Sequence, residues 1–288
     1  FDTGVNKQYL NKEVKYIPGY KKTVRGNSHI MKLFSPKRLY SHFIKDDYDI
    51  IVSYLEGPTA RIVSGCNNPK AKLVSWIHIE QHNQKLAAVS FRNYNEALNC
   101  YSRFNRTICV SNTVKEDFRS IFNLKNPIEV LYNTNESDKI IRLAEEKVED
   151  VVFNKDTVNL ISVAKIVPTK GYDRLMRIHK RLIEENIKNH IYILGIGEEK
   201  EKYEKYLKDN GLTASFTFLG FRDNPYKYVK NADLYVCSSR REGFSTAVTE
   251  ALIVGTPVVS TNCSGACELL GQNNEYGIVT ENNEASLY

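Results

Sequence analysis

Residues 233–260, DLYVCSSRREGFSTAVTEALIVGTPVVS, predict a strand, a loop and a helix in that order. The apolar run at 234–238 has the length and composition of a buried strand. Ser245 or Thr246 can cap the amino end of the helix, and Gly255 with a proline two residues later ends it. The loop therefore lies where a strand ends and a helix begins. The free N–H groups and the dipole of a helix start favour an anion such as diphosphate.

The two glutamates of this stretch suit contacts with a bound nucleotide. Glu250 lies one turn after Thr246 on the same helix face, so its carboxylate can face the predicted anion site. A carboxylate beside phosphate is repelled unless it faces a diol, and a ribose offers one. Two exposed acids near a helix start, stabilised by the helix dipole, would explain Glu242 and Glu250 equally well.

Strands and helices continue to alternate around this stretch, which predicts a parallel α/β unit of Rossmann type after residue 155. The predicted strands are 157–164, 190–195, 215–220, 233–238 and 257–260, and the predicted helices are 171–186, 198–209, 225–230 and 246–254. Ligands of open α/β sheets bind at the carboxyl ends of the strands, which is where the loop with Gly243 lies.

The first half of the chain shows the same alternation without repeating the sequence of the second half. The predicted strands are 14–17, 48–54, 72–77, 106–111 and 128–133. Amphipathic stretches with helical patterns lie between these strands, and residues 85–103 form the longest of them. Thr113 and Glu116 have the spacing of a capping box for a helix over 113–122.

Length and linker composition predict two domains. A chain of 288 residues can hold two domains of ordinary size, and the charged stretch 136–156 suits a connection between them. We therefore expect an α/β protein with two Rossmann-like domains, residues 1–155 and 156–288, which face each other across a cleft.

The spacing of Glu242, seven residues and Glu250, with EGF after a strand that ends in Ser-Ser, resembles the signature of family 4 glycosyltransferases. Members of that family are retaining enzymes of GT-B fold, and the resemblance is to the type that builds bacterial capsules and surface polysaccharides. It implies that Glu242 lies beside the donor sugar and that Glu250 binds the ribose hydroxyls. It also implies that backbone amides of the loop hold the diphosphate, at Gly243, Phe244, Ser245 and Thr246.

The segment SVAKIVPTKGYDRLM, residues 162–176, resembles the part of the family that usually reads GRLVPEKG. The resemblance implies that Lys165 and Lys170 grip the donor phosphates. This chain has Ala164 in place of the usual glycine and Lys165 in place of the usual arginine. A lysine keeps the charge but loses the two-pronged geometry of arginine, so we expect a weaker grip at that position.

Three further segments resemble the family in order and spacing. ILGIGEE resembles its glycine turn, with Gly195 and with Gly197 as a donor contact. The residues after FLG, Phe221 and Arg222, are implied to touch the nucleotide base. SWIHIEQH places His78 at the end of a strand, where the family has a histidine near the reacting sugar. A histidine that only ends a buried strand is the alternative for His78.

Two family elements are not recognisable in the chain, namely a first strand with a glycine-rich loop and a closing helix. We therefore expect that amino- and carboxy-terminal elements of the fold are missing.

The net charge of +6 is unevenly distributed, because residues 1–45 contain ten Lys or Arg and two acids. Such a segment can contact an anionic membrane surface or a lipid diphosphate, although a solvated basic surface explains it as well. No recognisable nucleic-acid module accompanies it. No apolar run approaches the about 20 residues of a membrane span, and a signal peptide is not evident. We expect a cytoplasmic protein that can contact the inner face of the membrane.

Metal and cofactor sites are not predicted. Asp47-Tyr48-Asp49 mimics a DxD motif but enters its strand at the amino end, and His78, Glu80 and His82 do not follow the HExxH order. The six cysteines are scattered singly, which suits reduced thiols rather than a zinc site. A nucleotide sugar is a substrate, so no cofactor is expected.

The resemblance predicts a metal-independent hexosyltransferase that moves a sugar from a nucleotide-diphosphate donor to a saccharide or lipid-linked acceptor. The expected donor is a UDP-sugar. Lys165, Lys170 and the helix amides would stabilise the leaving diphosphate, while Glu242 and His78 would position the sugar. A nucleotide-sugar epimerase and a non-catalytic GT-B subunit that supports an active partner are the two alternatives.

Overall fold

The structure, a computed structural model, describes residues 10–19 and 27–288. Contacts divide the chain into two compact units. The first unit consists of Phe1–Cys109 and Lys115–Glu129, and the second of Val110–Val114 and Val130–Tyr288.

The described part of the first unit is built on a four-stranded sheet with the order β1-β2-β3-β4. Its strands are β1 Ile50–Ser53, β2 Lys72–Ile77, β3 Arg106–Cys109 and β4 Ile128–Val130. Its helices are α1 Asn27–Met31, α2 Pro36–Phe43, α3 Pro58–Val63, α4 Gln84–Ala87, α5 Tyr94–Tyr101 and α6 Asn112–Ile121, of which α6 starts in the second unit. Strands β1, β2 and β3 pair in parallel, as the alternating pattern predicts.

The predicted strand at 14–17 is wrong. These residues have irregular backbone that follows a turn in which the Val14 N–H donates to the Asn11 carbonyl. Val14 and Ile17 are both more than half exposed, so the apolar run has no buried face that a strand would need. Pro18, which has no N–H to donate to a ladder, follows directly.

Two helix predictions in the first half also need correction. The predicted helix 85–103 is two helices, because the Asn93 side chain accepts a hydrogen bond from the Glu96 N–H and starts α5 anew. The capping box of Thr113 and Glu116 is wrong. Helix α6 is capped by Ser111, whose Oγ accepts from the Val114 N–H at 3.1 Å.

The second unit is built on a six-stranded parallel sheet with the order β10-β9-β8-β5-β6-β7. Its strands are β5 Val158–Val163, β6 Asn189–Leu194, β7 Phe216–Gly220, β8 Leu234–Cys237, β9 Val258–Thr261 and β10 Ile278–Thr280. Its helices are α7 Ser137–Ala144, α8 Tyr172–Glu184, α9 Lys200–Asp209, α10 Tyr226–Lys230, α11 Thr246–Ile253, α12 Ala266–Leu270 and α13 Glu284–Leu287. The strands predicted between residues 157 and 260 are all present.

Both faces of this sheet are covered by helices. Successive strand residues point to opposite faces, so Leu160 of β5 joins a core with α8 and α9, whereas Ile161 joins a core with α10 and α11. The strand order reverses between β5 and β8, and open α/β sheets bind ligands at the carboxyl side of such a point.

The segment predicted to connect the domains packs on the second unit. Asn224 donates to the Leu143 carbonyl at 2.8 Å, and Lys230 forms an ion pair with Glu145. Contacts therefore group residues 130–155 with the second unit, whereas the sequence predicted the boundary near residue 155.

Within residues 10–19 and 27–288, no helix is both long and apolar enough to cross a bilayer.

Candidate functional site

A cavity of about 310 Å³ lies in the second unit at the carboxyl ends of β5 and β8. The residues that line it are Ser162, Val163, Ala164, Lys165, Lys170, Tyr172, Tyr235, Cys237, Ser239, Glu242, Phe244, Ser245, Thr246 and Ala247. Six of the predicted site residues are among them, from two segments that are far apart in sequence, 165–170 and 242–246. A larger cavity of about 850 Å³ in the first unit contains none of the predicted site residues.

An ion pair between Lys170 and Glu242 forms one wall of the cavity. The Lys170 Nζ lies 2.6 Å from the Glu242 Oε1, and the Ser239 hydroxyl donates to the same oxygen at 2.5 Å. The two charged side chains are 24% and 13% exposed, so water screens the pair only weakly. Each partner therefore fixes the position of the other.

Lys165 is the second cation of the cavity, and it differs from Lys170 in its environment. Its side chain is exposed, and within the described part of the chain it forms no ion pair. Its charge is therefore available to an anionic ligand.

The buried Arg174 on α8 holds the end of β8 in place. Its Nε and Nη2 donate to the Ser238 carbonyl at 2.8 and 2.6 Å, and Nη2 also donates to the Ser239 carbonyl at 2.6 Å. The Ser238 hydroxyl in turn donates to the Lys170 carbonyl at 2.8 Å. The two loops that carry Lys170 and Glu242 are thus cross-linked by hydrogen bonds.

The sequence reasoning missed Arg174. The available signal was an arginine among the apolar residues of an amphipathic helix, since α8 buries it beside Leu175 and Met176. An arginine buried without charged partners must donate to backbone carbonyls.

Helix α11 directs its amino end at the cavity. Ser245 is its cap, with its Oγ accepting from the Val248 N–H at 3.4 Å, and Thr246 and Ala247 of the first turn line the cavity. The first N–H groups of a helix have no partner within the helix, so they can donate to an anion.

Glu250 lies one turn further along α11 and is not among the lining residues. Burial raises the pKa of this carboxyl group, while a weak hydrogen bond from the Tyr226 hydroxyl, at 3.5 Å, acts in the opposite direction. The ribose contact of Glu250 stays a prediction.

Two predicted glycines also lie outside the cavity lining. A Cβ on Gly197 would come within 2.1 Å of the Ile166 carbonyl oxygen, so the residue allows the turn after β6 to pack on the segment after β5. The Gly243 carbonyl accepts from the Ser111 hydroxyl at 3.3 Å.

The predicted base contacts follow β7 at the edge of the sheet, away from the cavity lining. Phe221 is 56% exposed. Arg222 donates to the Asp150 carboxylate at 2.8 Å and to the Tyr228 hydroxyl at 3.2 Å. Its guanidinium is therefore engaged by acceptors within the second unit, and base contact by either residue stays a prediction.

His78 lies in the first unit, directly after β2 as predicted. Its backbone N–H donates to the Glu56 carboxylate at 3.0 Å, and the centroid of its ring lies 4.7 Å from that of Tyr54. Burial lowers the pKa of His78 although the Glu56 charge raises it, and among the described residues its Nε2 has no hydrogen-bond partner. The lowered pKa favours a neutral imidazole, and its Nε2 atom is buried without a partner among the described residues.

The other two residues of the HxExH pattern approach Asp117 on α6. The ligand atoms of Glu80, His82 and Asp117 lie within 4.8 Å of one another, a proximity that the sequence did not indicate. Asp117 already accepts from the N–H groups of Gln81 and His82 at 2.5 and 3.0 Å, which explains its position without a metal ion.

Sequence models of two glycosyltransferase families match the two halves of the chain. The sequence model of the family described as "Glycosyl transferases group 1" matches residues 144–287. The sequence model of "Glycosyltransferase Family 4" matches residues 6–135.

Two curated relatives are similar over much of the chain. An uncharacterized glycosyltransferase of Methanocaldococcus jannaschii is 29% identical over 254 residues, which are 84% of this chain and 59% of that protein. The N-acetylgalactosamine-N,N'-diacetylbacillosaminyl-diphospho-undecaprenol 4-alpha-N-acetylgalactosaminyltransferase of Campylobacter jejuni is 33% identical over 162 residues, 56% of this chain and 42% of that protein. The chain thus spans less than two thirds of the length of either relative.

Solved structures show the same fold. A TarM mutant of S. aureus in complex with UDP has a TM-score of 0.69 at 19% identity, over 86% of this chain and 49% of that chain. Anabaena HepE in complex with UDP and glucose has a TM-score of 0.62 at 20% identity, over 83% of this chain and 66% of that chain. These likenesses confirm the predicted GT-B fold.

Proposed function

The chain belongs to the glycosyl transferases of group 1, and from this premise we propose that it transfers a hexose from a nucleotide diphosphate to a saccharide or lipid-linked acceptor in cell-surface polysaccharide synthesis. We further propose that the donor is UDP-linked and that the anomeric configuration is retained. The observation that carries the proposal is the cavity at the carboxyl ends of β5 and β8, where Lys165 and Lys170 meet the amino end of α11.

The chemistry of this cavity suits a departing diphosphate. Cleavage of the bond between the sugar and the diphosphate leaves an anion whose charge grows in the transition state. Two lysines and the helix N–H groups are donors already aimed at that charge, and such preorganised donors are usually the largest catalytic term. They offset the negative charge of the diphosphate, as a divalent cation does in other transferases, so the proposed reaction needs no metal ion or cofactor.

Glu242 has two roles in the proposal. It anchors Lys170 through the 2.6 Å contact, and its partly exposed carboxylate at the cavity wall can accept hydrogen bonds from sugar hydroxyls. His78 is proposed to contact the sugar, because the buried Nε2 of its imidazole has no hydrogen-bond partner among the described residues. The proposal assigns no nucleophile to the protein.

The relatives support the donor and acceptor classes. Complexes of TarM and HepE contain UDP, and the HepE complex also contains glucose. The Campylobacter relative carries the name of a transferase that acts on a sugar linked to diphospho-undecaprenol. These names favour transfer over epimerisation, and they favour a saccharide or a lipid-linked saccharide as the acceptor.

A lipid-linked acceptor would bring the protein to the cytoplasmic face of a membrane. The ten basic residues in 1–45 are proposed to contact its anionic surface. Four of them, Lys7, Lys21, Lys22 and Arg25, lie outside the described residues.

A donor screen tests the proposal on the full-length protein. Nucleotide sugars are added one by one during thermal unfolding, because a ligand present at 100 times its Kd stabilises the folded state by about 2.7 kcal/mol. We expect a UDP-sugar to give the largest shift, followed by release of UDP when acceptors are supplied. Binding without turnover on a broad acceptor set would support the non-catalytic alternative, and turnover of donor alone to another sugar would support an epimerase.

Replacing Glu250 tests the ribose contact. We expect Glu250→Ala to weaken UDP binding by about 1 to 3 kcal/mol, the value of a lost hydrogen bond to a charged group. Calorimetric titration with UDP and with 2′,3′-dideoxy-UDP separates this contact from a general loss. The unchanged protein should prefer UDP, and the variant should bind both ligands equally. An unchanged preference in the variant would show that Glu250 does not bind the ribose.

A further inference from the structure

The loop proposed to bind diphosphate is supported from behind by residues that do not line the cavity. The Ser111 hydroxyl donates to the Gly243 carbonyl at 3.3 Å. The ring of Tyr132 packs against that of Phe244, with the ring centroids 5.0 Å apart. A Cβ on Gly265 would lie 3.1 Å from the Gly243 carbonyl oxygen, so α12 begins close against the loop backbone.

One carboxylate, that of Glu268 on α12, connects these supports. Its Oε2 accepts hydrogen bonds from the Asn112 N–H at 2.9 Å, the Asn112 side-chain amide at 3.0 Å and the Tyr132 hydroxyl at 2.8 Å. Its Oε1 accepts from the Thr113 N–H and hydroxyl, both at 3.0 Å. All of these residues belong to the second unit. Five donors converge on this one side chain.

The carboxylate is held in its charged form. Partial burial raises the pKa of Glu268, but the N–H groups of Asn112 and Thr113 and the hydroxyl of Tyr132 lower it by more, so the pKa lies below its usual value. Hydrogen bonds to an ionised acceptor are roughly twice as strong as neutral ones. Loss of the carboxylate would leave several donors without their acceptor.

We propose that Glu268 is a positioning residue for the diphosphate-binding loop. By holding Tyr132 through its hydroxyl, Glu268 fixes the ring against which Phe244 packs. By holding Asn112 and Thr113, it fixes the adjacent Ser111, which donates to Gly243. The inference rests on the proposed function, since it assigns the loop amides to a diphosphate.

The chain of contacts predicts a selective effect. A loop that is less well held has N–H groups that must be ordered when the ligand binds, and this ordering costs affinity. Only the ligand part that touches the loop should be affected. The affinity for a diphosphate should therefore fall, whereas the affinity for the nucleoside alone should not.

Three variants of the full-length protein test this, with calorimetric titration of UDP and NMR titration of uridine. Glu268→Gln keeps the size of the side chain but turns one end into a donor that faces donors. Tyr132→Phe keeps the ring on Phe244 and removes only the hydroxyl. Asp209→Asn removes an exposed carboxylate on α9, paired with Lys205, and serves as the control.

We expect Glu268→Gln to weaken UDP binding about tenfold and Tyr132→Phe about threefold, with uridine affinity unchanged and the control like the unchanged protein. An equal loss for UDP and uridine would show a general structural role and overturn the inference. UDP affinities of both variants that equal the affinity of the control would also overturn the inference. If Glu268→Gln does not fold, Tyr132→Phe alone decides between these results. Failure of the unchanged protein to bind UDP would instead overturn the proposed function.

Discussion

Lys170→Met is expected to lower the rate of sugar transfer by about 100- to 1,000-fold, the usual cost of removing one preorganised donor from a developing anion. UDP binding should weaken as well. The change removes a positive charge from the cavity, and it also leaves the Glu242 carboxylate without its cation. That carboxylate is 13% exposed and would then repel the diphosphate.

Two further variants separate these effects. Lys165 has no ion pair among the described residues, so Lys165→Met removes a charge without leaving a carboxylate unpaired and should cost less than Lys170→Met. In the double variant Lys170→Met with Glu242→Gln, UDP affinity should partly recover because the repulsive charge is gone. Steady-state kinetics measures the rate of transfer, and calorimetry measures the affinity for UDP. Equal losses for the two lysines, without recovery in the double variant, would contradict the role given to the ion pair.

Strands β5 to β9 of the second unit were predictable because the sheet is covered on both faces there, whereas the short, half-exposed β10 was not predicted. Strands such as β6 and β8 then read as continuous apolar runs between turn residues. The run at 14–17 has a similar composition, but nothing local tells whether tertiary contacts will bury it. The split of residues 85–103 depended on Asn93, which caps a helix only where the backbone before it is extended.

The site could be predicted only in part from the sequence. The resemblance predicted that Lys170 and Glu242 both contact the donor, but it did not predict that they contact each other. The two residues are 72 positions apart, and their contact depends on how the ends of β5 and β8 meet. Arg174 and Glu268 act through backbone groups and tyrosine hydroxyls, which no motif encodes. Such contacts are visible only when the packing is known.

Gly171→Ala is expected to destabilise the second unit by about 3 kcal/mol or more, since a residue with a Cβ in left-handed backbone costs about 1–2 kcal/mol before any clash. Gly171 has φ 69° and ends the turn that carries Lys170. A Cβ there would lie 2.0 Å from the Ser238 carbonyl oxygen and 2.8 Å from the Arg174 Nε. The backbone would have to move, and the hydrogen bonds that join the two loops would break.

Gly211 offers a matched control because it has the same φ of 69°, while a Cβ built there meets no described atom within 4 Å. Gly211→Ala should therefore cost only the conformational term, about 1–2 kcal/mol. Thermal unfolding should be followed at the transition that shifts when UDP is added, since a chain with two units need not unfold in a single step. The difference between the two variants measures the clash alone. If Gly171→Ala unfolds at the same temperature as Gly211→Ala and still binds UDP normally, the close approach of the two loops is not what shapes the site.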